Sequence, residues 1–457
     1  MFGNMTKEQM TQGPLLKKLF IYTIPIMATG LLQLLFNAAD LIVIGRWATD
    51  GDKCLAAVGS TGSLINLIVN LFIGLSVGTS VTVAQRCGAD DKEGLRRIVH
   101  TSMAAAIVGG IIVFFIGFFG SRTFLGWMGT LDDVMDLATK YMKIYFVGIP
   151  ASMIYNFGGA ILRSSGDTKR PLIILSSAGA LNVVLNIIFV CVFHMDVDGV
   201  AWATTISQTM SAVWVVIHLM RHKGDIHLSL RHIRVHKEEF LQLLKIGIPA
   251  GLQGSMFSIS NVLIQKSINS FNSTEFTSGN SAAGNIEGFI YVAMNSFHQT
   301  ALTFTGQNVG AKKPERINRV FSLCTIYVVS AGIIIAAIVY LLRYPLLGLY
   351  LPDSPASVEA GIQRFNVIAT TYFLCGAMEV VNGVLRGMGS SLFPMLITVL
   401  TVCGFRILWI FTAFAAHGTP FVLFLSYPLS WLLCIAAQFI LYIFVRRKLE
   451  RQIRMSV

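Results

Sequence analysis

Long apolar runs broken by short polar stretches dominate this chain. Twelve runs, at 15–45, 54–84, 98–121, 138–162, 171–195, 198–220, 240–270, 280–308, 320–343, 361–386, 393–416 and 420–445, each approach or exceed the roughly 20 apolar residues a bilayer crossing needs. They are too long and too uniformly apolar for tilted barrel strands, so each predicts a helix. Polar residues inside the runs recur at helical spacing. Thr29, Gln33, Asn37 and Asp40 stand at i, i+4, i+8 and i+11 on the first helix, which places them on one face. Further stripes are Ser63, Asn66 and Asn70 on the second helix, Asn182 and Asn186 on the fifth, and Thr204, Gln208 and Ser211 on the sixth. In the second half, Glu287, Tyr291, Asn295 and His298 line up on the eighth helix, and Tyr372, Cys375, Glu379 and Asn382 on the tenth. Such stripes face protein or water, not lipid.

Asp40 stands out among these positions. From Leu19 to Ile44 the only other ionisable side chain is Tyr22, and an ionised carboxylate at membrane depth costs at least a few kcal/mol. Once the basic residues near the run ends are assigned to the two sides of the membrane, the three left in the spans, Lys266, Arg364 and Arg406, all fall in the second half, so the sequence offers Asp40 no intramembrane counter-charge. Desolvation without a counter-charge favours a neutral carboxyl. That suits a group that takes up and releases a proton, or one that waits for a metal cation. Asn37, Asn182 and Asn186, with Asn66 and Asn70, are candidates to surround Asp40 as amide ligands or hydrogen-bond donors; the alternative is interhelical glue. Na⁺ would need several hard oxygens, which the amides supply, so the coupling ion stays open between H⁺ and Na⁺. One carboxylate among amides leans towards a proton.

Gln33, Asn66, Asn70, Tyr145, Tyr155, Asn156, Thr204 and Gln208 are the candidate lining of a cavity in the first half. Glu287, Tyr291, Met294, Asn295, His298, Glu379 and Arg406 are the candidates in the second half. Unpaired buried charges are costly, so Arg406 is expected to pair with Glu287 or Glu379, either as scaffold or as a cation-attracting cavity wall. Lys266 and Arg364 are expected to snorkel towards the outer surface. Methionine and aromatic side chains re-pack around varied shapes, which is why Tyr145, Tyr155, Tyr291 and Met294, beside the polar stripes, count as adaptable contacts.

Composition agrees with a membrane protein: 457 residues, 54% hydrophobic, 13% charged and mean hydropathy +0.67, outside the range of soluble globular chains. The net charge of +12 points to topology, not to nucleic acid. With the N-terminus placed in the cytoplasm, cytoplasmic segments carry 26 of the 35 Lys and Arg, external loops six and the spans three. This is the positive-inside pattern, and twelve crossings return the C-terminus to the cytoplasm. Seven scattered cysteines without a CxxC pair read as packing, not as disulfides or a metal site. The first helix lacks a signal-cleavage pattern and is expected to be retained. The polar stretch 221–237 has four histidines without metal-ligand spacing. No nucleophile–base set or metal motif marks an enzyme, and no cofactor is expected.

After that stretch the sequence starts again. Ile24-Pro25 and Asn37 recur as Ile248-Pro249 and Asn261, while the position matching Asp40 is Ile264. Gln85, Gly88-Ala89, Glu93 and Arg97 recur as Gln307, Gly310-Ala311, Glu315 and Arg319. Leu162-Arg163, Gly166 and Pro171 recur as Leu385-Arg386, Gly389 and Pro394. Matches in order at an almost constant offset of 222–224 residues indicate duplication. Six crossings per half give both halves one orientation, the parallel-repeat arrangement of two-lobed alternating-access transporters.

These signatures, with Ala39-Asp-Leu-Ile-Val-Ile-Gly-Arg46 and Leu162-Arg-x-x-Gly-Asp-Thr-x-x-Pro171, resemble the multidrug and toxic compound extrusion (MATE) family over essentially the whole chain. The helix 1 acid is similar to that of the DinF-like branch. The resemblance implies an all-α integral membrane protein of twelve transmembrane helices in two six-helix bundles forming a V-shaped pair of lobes. The expected divisions are 1–220, a linker at 221–237, and 238–457 with a basic tail. It implies a monomer in the bacterial inner membrane with both termini cytoplasmic. Its expected activity is H⁺- or Na⁺-coupled antiport, exporting amphipathic organic cations, drugs or small metabolites; a flippase for lipid-linked precursors is the alternative. That branch pairs the acid with a second one in an Asn-x-x-x-Asp pattern, where this chain reads Asn182-Val-Val-Leu-Asn186.

Overall fold

The computed structural model describes residues 4–48, 51–352 and 354–455, apart from the side chains of residues 51, 52, 55 and 63; Ser63 of the second stripe thus lies outside the described side chains. The apolar runs form long helices: α1 (Leu16–Trp47), α2 (Gly51–Ala89), α3 (Lys92–Trp127), α4 (Asp132–Ser164), α5 (Lys169–Asn186, continuing as a π-helical stretch over Ile187–Val192) and α6 (Val197–Arg221). The second half supplies α7 (Lys237–Asn269), α8 (Thr274–Gly310), α9 (Pro314–Leu341), α10 (Pro355–Gly387), α11 (Leu392–His417, with two π-helical stretches) and α12 (Pro420–Met455). Among the described residues, ten of these are long and apolar enough to cross a membrane; α7 and α8 are as long but more polar. Sequence boundaries were short at several ends. The tenth run was expected from residue 361, whereas α10 begins at Pro355, where Ser354 caps it by accepting from Ser357 N.

The duplication is visible in the backbone. Asp90 and Lys312 both take a left-handed conformation, with φ 59° and 54°. Each sits in the same turn, closed by Asp91 N to Arg86 O (3.2 Å) and by Lys313 N to Asn308 O (2.9 Å). The Leu-Arg motifs end their helices alike: Gly166 and Gly389 have φ 107° and 86°. Asp167 N and Ser390 N reach back to the carbonyls of Leu162 and Leu385 at 2.9 and 3.1 Å. A left-handed residue just past a helix end is the glycine-favouring termination in which such back-bonds satisfy otherwise orphaned carbonyls. The π-helical stretch over Ile187–Val192 likewise has a counterpart at Ile410–Phe414.

The chain forms two compact units. One comprises residues 1–7 and 28–255, the other residues 8–27 and 256–457, so the division cuts through α1 and α7. The first unit is centred on Phe146, Phe157, Ile98, Met142 and Leu162, all fully buried except for traces. In it α2 and α7 approach so closely that a Cβ on Gly74 would stand 2.2 Å from Gly251 N. The second unit packs Ile268, Ile368, Phe424 and Trp431 in its core.

Candidate functional site

Within the first unit, α1, α4, α5 and α6 enclose a polar cavity of about 130 Å³. Gln33, Asn37 and Asp40 enter it from α1, Ser152, Tyr155 and Asn156 from α4, Asn182 from α5, and Thr204, Ser207, Gln208 and Ser211 from α6. The α1 stripe thus meets the α5 and α6 stripes, which is what polar faces on neighbouring helices must do in an apolar environment. Gln33 and Asn37 are exposed, Asp40 is half-buried and Asn186 fully buried, so burial deepens along the stripe towards the acid. Gly179 sets the approach of α5 to α1, since a Cβ there would lie 1.8 Å from the Phe36 ring.

The acid is held by an amide. Asn186 Nδ2 donates to Asp40 Oδ1 at 2.5 Å and to Asn182 Oδ1 at 3.3 Å, and Asn182 Nδ2 donates to Thr204 Oγ1 at 3.3 Å. The residue standing where a second acid was expected is therefore the donor to the first. Among the described residues, Asp40 is the one acidic or basic side chain lining the cavity. The Asn186 Oδ1 oxygen is buried without a hydrogen-bond partner. Asp40 Oδ1 and Asn182 Oδ1 thus meet at the Asn186 amide nitrogen, which occupies the point between them. A cation there would need the Asn186 amide turned over to present oxygen, whereas a proton needs only one carboxylate oxygen.

Asn186 stands behind the lining, against Asp40 and Asn182, and three residues expected to line this cavity lie outside it. Asn66 is exposed, Asn70 lies beside Gly254 of α7, and Tyr145 stacks on Tyr141 with ring centroids 6.2 Å apart. Ser152 and Ser207 line it unforeseen; each stands four residues from a partner on its stripe, Asn156 and Ser211, and that spacing was the available signal. Both are small hydroxyls that could equally bond their own helix, as Ser207 Oγ does with Ala203 O at 2.8 Å.

The second unit carries its charges differently. Arg364 Nε and Nη2 donate to the two Glu287 oxygens at 2.9 and 2.7 Å. Arg364 is buried against α8, not turned to the outer surface as expected, because α10 starts earlier and places it nine residues inside the helix. Glu379 faces His298, whose Nδ1 lies 3.1 Å from its carboxylate and 2.8 Å from its carbonyl oxygen. The expected pairing of Arg406 with Glu287 or Glu379 is corrected accordingly. Arg406 instead donates from Nε to Ser430 Oγ at 3.1 Å and lies over the Tyr427 ring, 4.0 Å from its centroid; aromatic faces attract a guanidinium. Met294 is fully buried, Asn295 half-buried and Tyr291 40% exposed. The positions matching Asp40, Asn182 and Asn186 are Ile264, Phe405 and Trp409, with Ile264 buried in the core and the two rings 5.5 Å apart. The duplicated framework is polar in one unit and apolar at the same places in the other.

Comparison with known proteins bears on both halves. The sequence profile of the MatE family matches residues 25–188 and 249–412, two stretches offset by 224 residues that start at Pro25 and Pro249. The chain is 30% identical to the probable multidrug resistance protein YpnP of Bacillus subtilis, over 97% of this chain and 98% of that protein. It is 24% identical to the probable multidrug resistance protein NorM of Thermotoga maritima, over 84% and 83% of the two. In fold it is similar to a solved outward-facing multidrug resistance MATE family transporter, with a TM-score of 0.88 over 99% of each chain at 20% identity.

Proposed function

Because the chain belongs to the MatE family of multi-pass membrane transporters, we propose that it is an antiporter in which a proton taken up at Asp40 drives export of an amphipathic organic cation or small metabolite. The observation carrying this reading is the single carboxylate at the buried end of a four-helix polar cavity, held by the Asn186 amide. Proton uptake at the Asp40 oxygen that Asn186 engages would replace an acceptor with a donor, so the Asp40–Asn186–Asn182 contacts would rearrange between α1 and α5. A ligand shifts a two-state protein only by its differential affinity for the states, and this rearrangement supplies such a difference. In our reading the lobes 1–220 and 238–457 exchange access to the two sides, and the monomer sits in a bacterial inner membrane with both termini cytoplasmic.

Cavity size separates coupling from cargo. Pockets for drug-sized ligands occupy about 300–1,000 Å³, and this cavity, at about 130 Å³, is smaller. In its present form the cavity suits an ion with its water and not a drug. The names of the relatives, multidrug resistance proteins, support an organic cargo. Efflux from reconstituted vesicles under separate H⁺ and Na⁺ gradients tests the proposal: a proton gradient alone is expected to suffice.

A further inference from the structure

Residues 222–236 join α6 to α7 and belong to the first unit. Ile226 and Leu228 anchor the segment in the apolar core, and Leu228 N donates to Leu219 O at 3.1 Å. Elsewhere the segment is fixed by imidazole rings used as acceptors. Ser229 N donates to His100 Nε2 of α3 at 3.1 Å, while His100 Nδ1 lies 2.7 Å from Arg96 O. A backbone N–H can only donate and a carbonyl only accept, so His100 is the neutral tautomer with its proton on Nδ1. The same logic fixes His236. Arg234 Nε donates to its Nε2 at 3.0 Å, leaving the proton on Nδ1, 3.2 Å from Thr101 Oγ1. Thr101 Oγ1 also accepts from His236 N at 3.1 Å. A third ring, His222, accepts Gly224 N at Nδ1, 2.9 Å away.

We propose that this segment is an acid-released clasp: the neutral His100 ring holds it against α3, the neutral His222 and His236 rings hold its own turns at Gly224 and Arg234, and proton uptake by these rings frees it. A protonated imidazole donates from both nitrogens, so each acceptor contact would become a meeting of two donors. Other charged and titratable groups stand beside these rings. His100 faces Arg96 on its own helix and His232 and His236 from the segment. His222 faces Asp167 from the turn before α5 and Arg170 from its first turn, with His218 and His227 nearby. The segment already carries Lys223, Arg231 and Arg234 against Asp225, and Glu239 at its far end is engaged by Arg86 of α2 at 3.8 Å. Burial first, and Arg170 second, hold the His222 ring below its ordinary histidine value. A depressed histidine contributes stability that is complete above the ordinary value of 6.5 and is lost as pH falls through the native one. Release would loosen the connection of α6, which bears Thr204 and Gln208, and so tie turnover to the pH on the side the segment faces, separately from Asp40.

Hydrogen exchange in the full-length protein in nanodiscs, corrected for the intrinsic rate at each pH, tests the clasp. Amides of 229–236 are expected to be protected near pH 7.5 and to lose about tenfold in protection per pH unit below the ring's pKa as pH falls to about 5.5. In H100Q/H236Q, whose amides accept but do not titrate, that loss should flatten. Wild-type protection that ignores pH, or an equal loss in the variant, overturns the proposal. Should the variant not fold, ¹⁵N imidazole spectra of the wild type decide: His100 protonated on Nδ1 alone near neutral pH supports the clasp, and a proton on Nε2 overturns it.

Discussion

Asn186 and Asp40 meet across α5 and α1 with the amide nitrogen 2.5 Å from a carboxylate oxygen. Asn186 stands where the Asn-x-x-x-Asp pattern would put a second acid, and its amide donates to the first. A hydrogen bond to a charged group is worth about 1.5–3 kcal/mol. Asn186→Leu should therefore reduce proton-driven efflux by at least about tenfold without reducing the folded protein in the membrane. Asn186→Asp adds carboxylate oxygens beside Asp40 and should introduce Na⁺-stimulated efflux. Unchanged efflux in the Leu variant would show that the contact is incidental.

Gly179 lets the Phe36 ring lie on α5. Adding even one carbon there brings it within 1.8 Å of that ring, and overpacking costs typically about 1–3 kcal/mol. Gly179→Ala is expected to lower the thermal midpoint in detergent, and Gly179→Ala with Phe36→Leu to recover part of it.

The buried pair Arg364–Glu287 is structural in this account. Removing one partner leaves an uncompensated buried charge, at a cost of about 3–5 kcal/mol. Arg364→Met and Glu287→Gln should each destabilise strongly, and the double variant less than either sum. A thermal-denaturation double-mutant cycle reads the coupling; additive losses would mean the pair is not coupled.

Asp91 caps α3 by accepting Gly94 N at 2.9 Å and pairs with Arg86 at 2.5 Å. The Gly94 bond first, then Arg86, hold its carboxyl below the ordinary 3.8. Its contribution is thus present above that value and lost as pH falls through the lower native one. Asn caps about as well as Asp, so Asp91→Asn isolates the charge. The variant should be less stable than wild type at neutral pH, by at most about 1 kcal/mol given the exposure of the pair. The gap should narrow once pH falls below the ordinary 3.8 and close only below the lower native value, where both side chains are neutral.

How much of this was legible in the sequence depended on the kind of fact. Periodicity and hydropathy carried the helices, and the constant offset carried the duplication down to the turns at Asp90 and Lys312. The α1, α5 and α6 stripes identified Asp40, Asn182, Asn186, Thr204 and Gln208 because polar residues inside apolar runs have few places to go. Pairing was harder to read. Arg364 was placed near a helix end because the polar start of α10, Pro355–Gly361, does not register as apolar. The direction of the Asn186 bond, and the ring contact that occupies Arg406, depend on rotamers and on which helices touch.

Efflux by Asp40→Asn in proteoliposomes, under an imposed proton gradient with and without Na⁺, tests the central claim most directly. Wild-type protein should export a fluorescent organic cation on the proton gradient alone. The variant, correctly inserted and equally abundant, should retain no gradient-driven transport with either ion. Full proton-driven efflux by the variant would contradict the account.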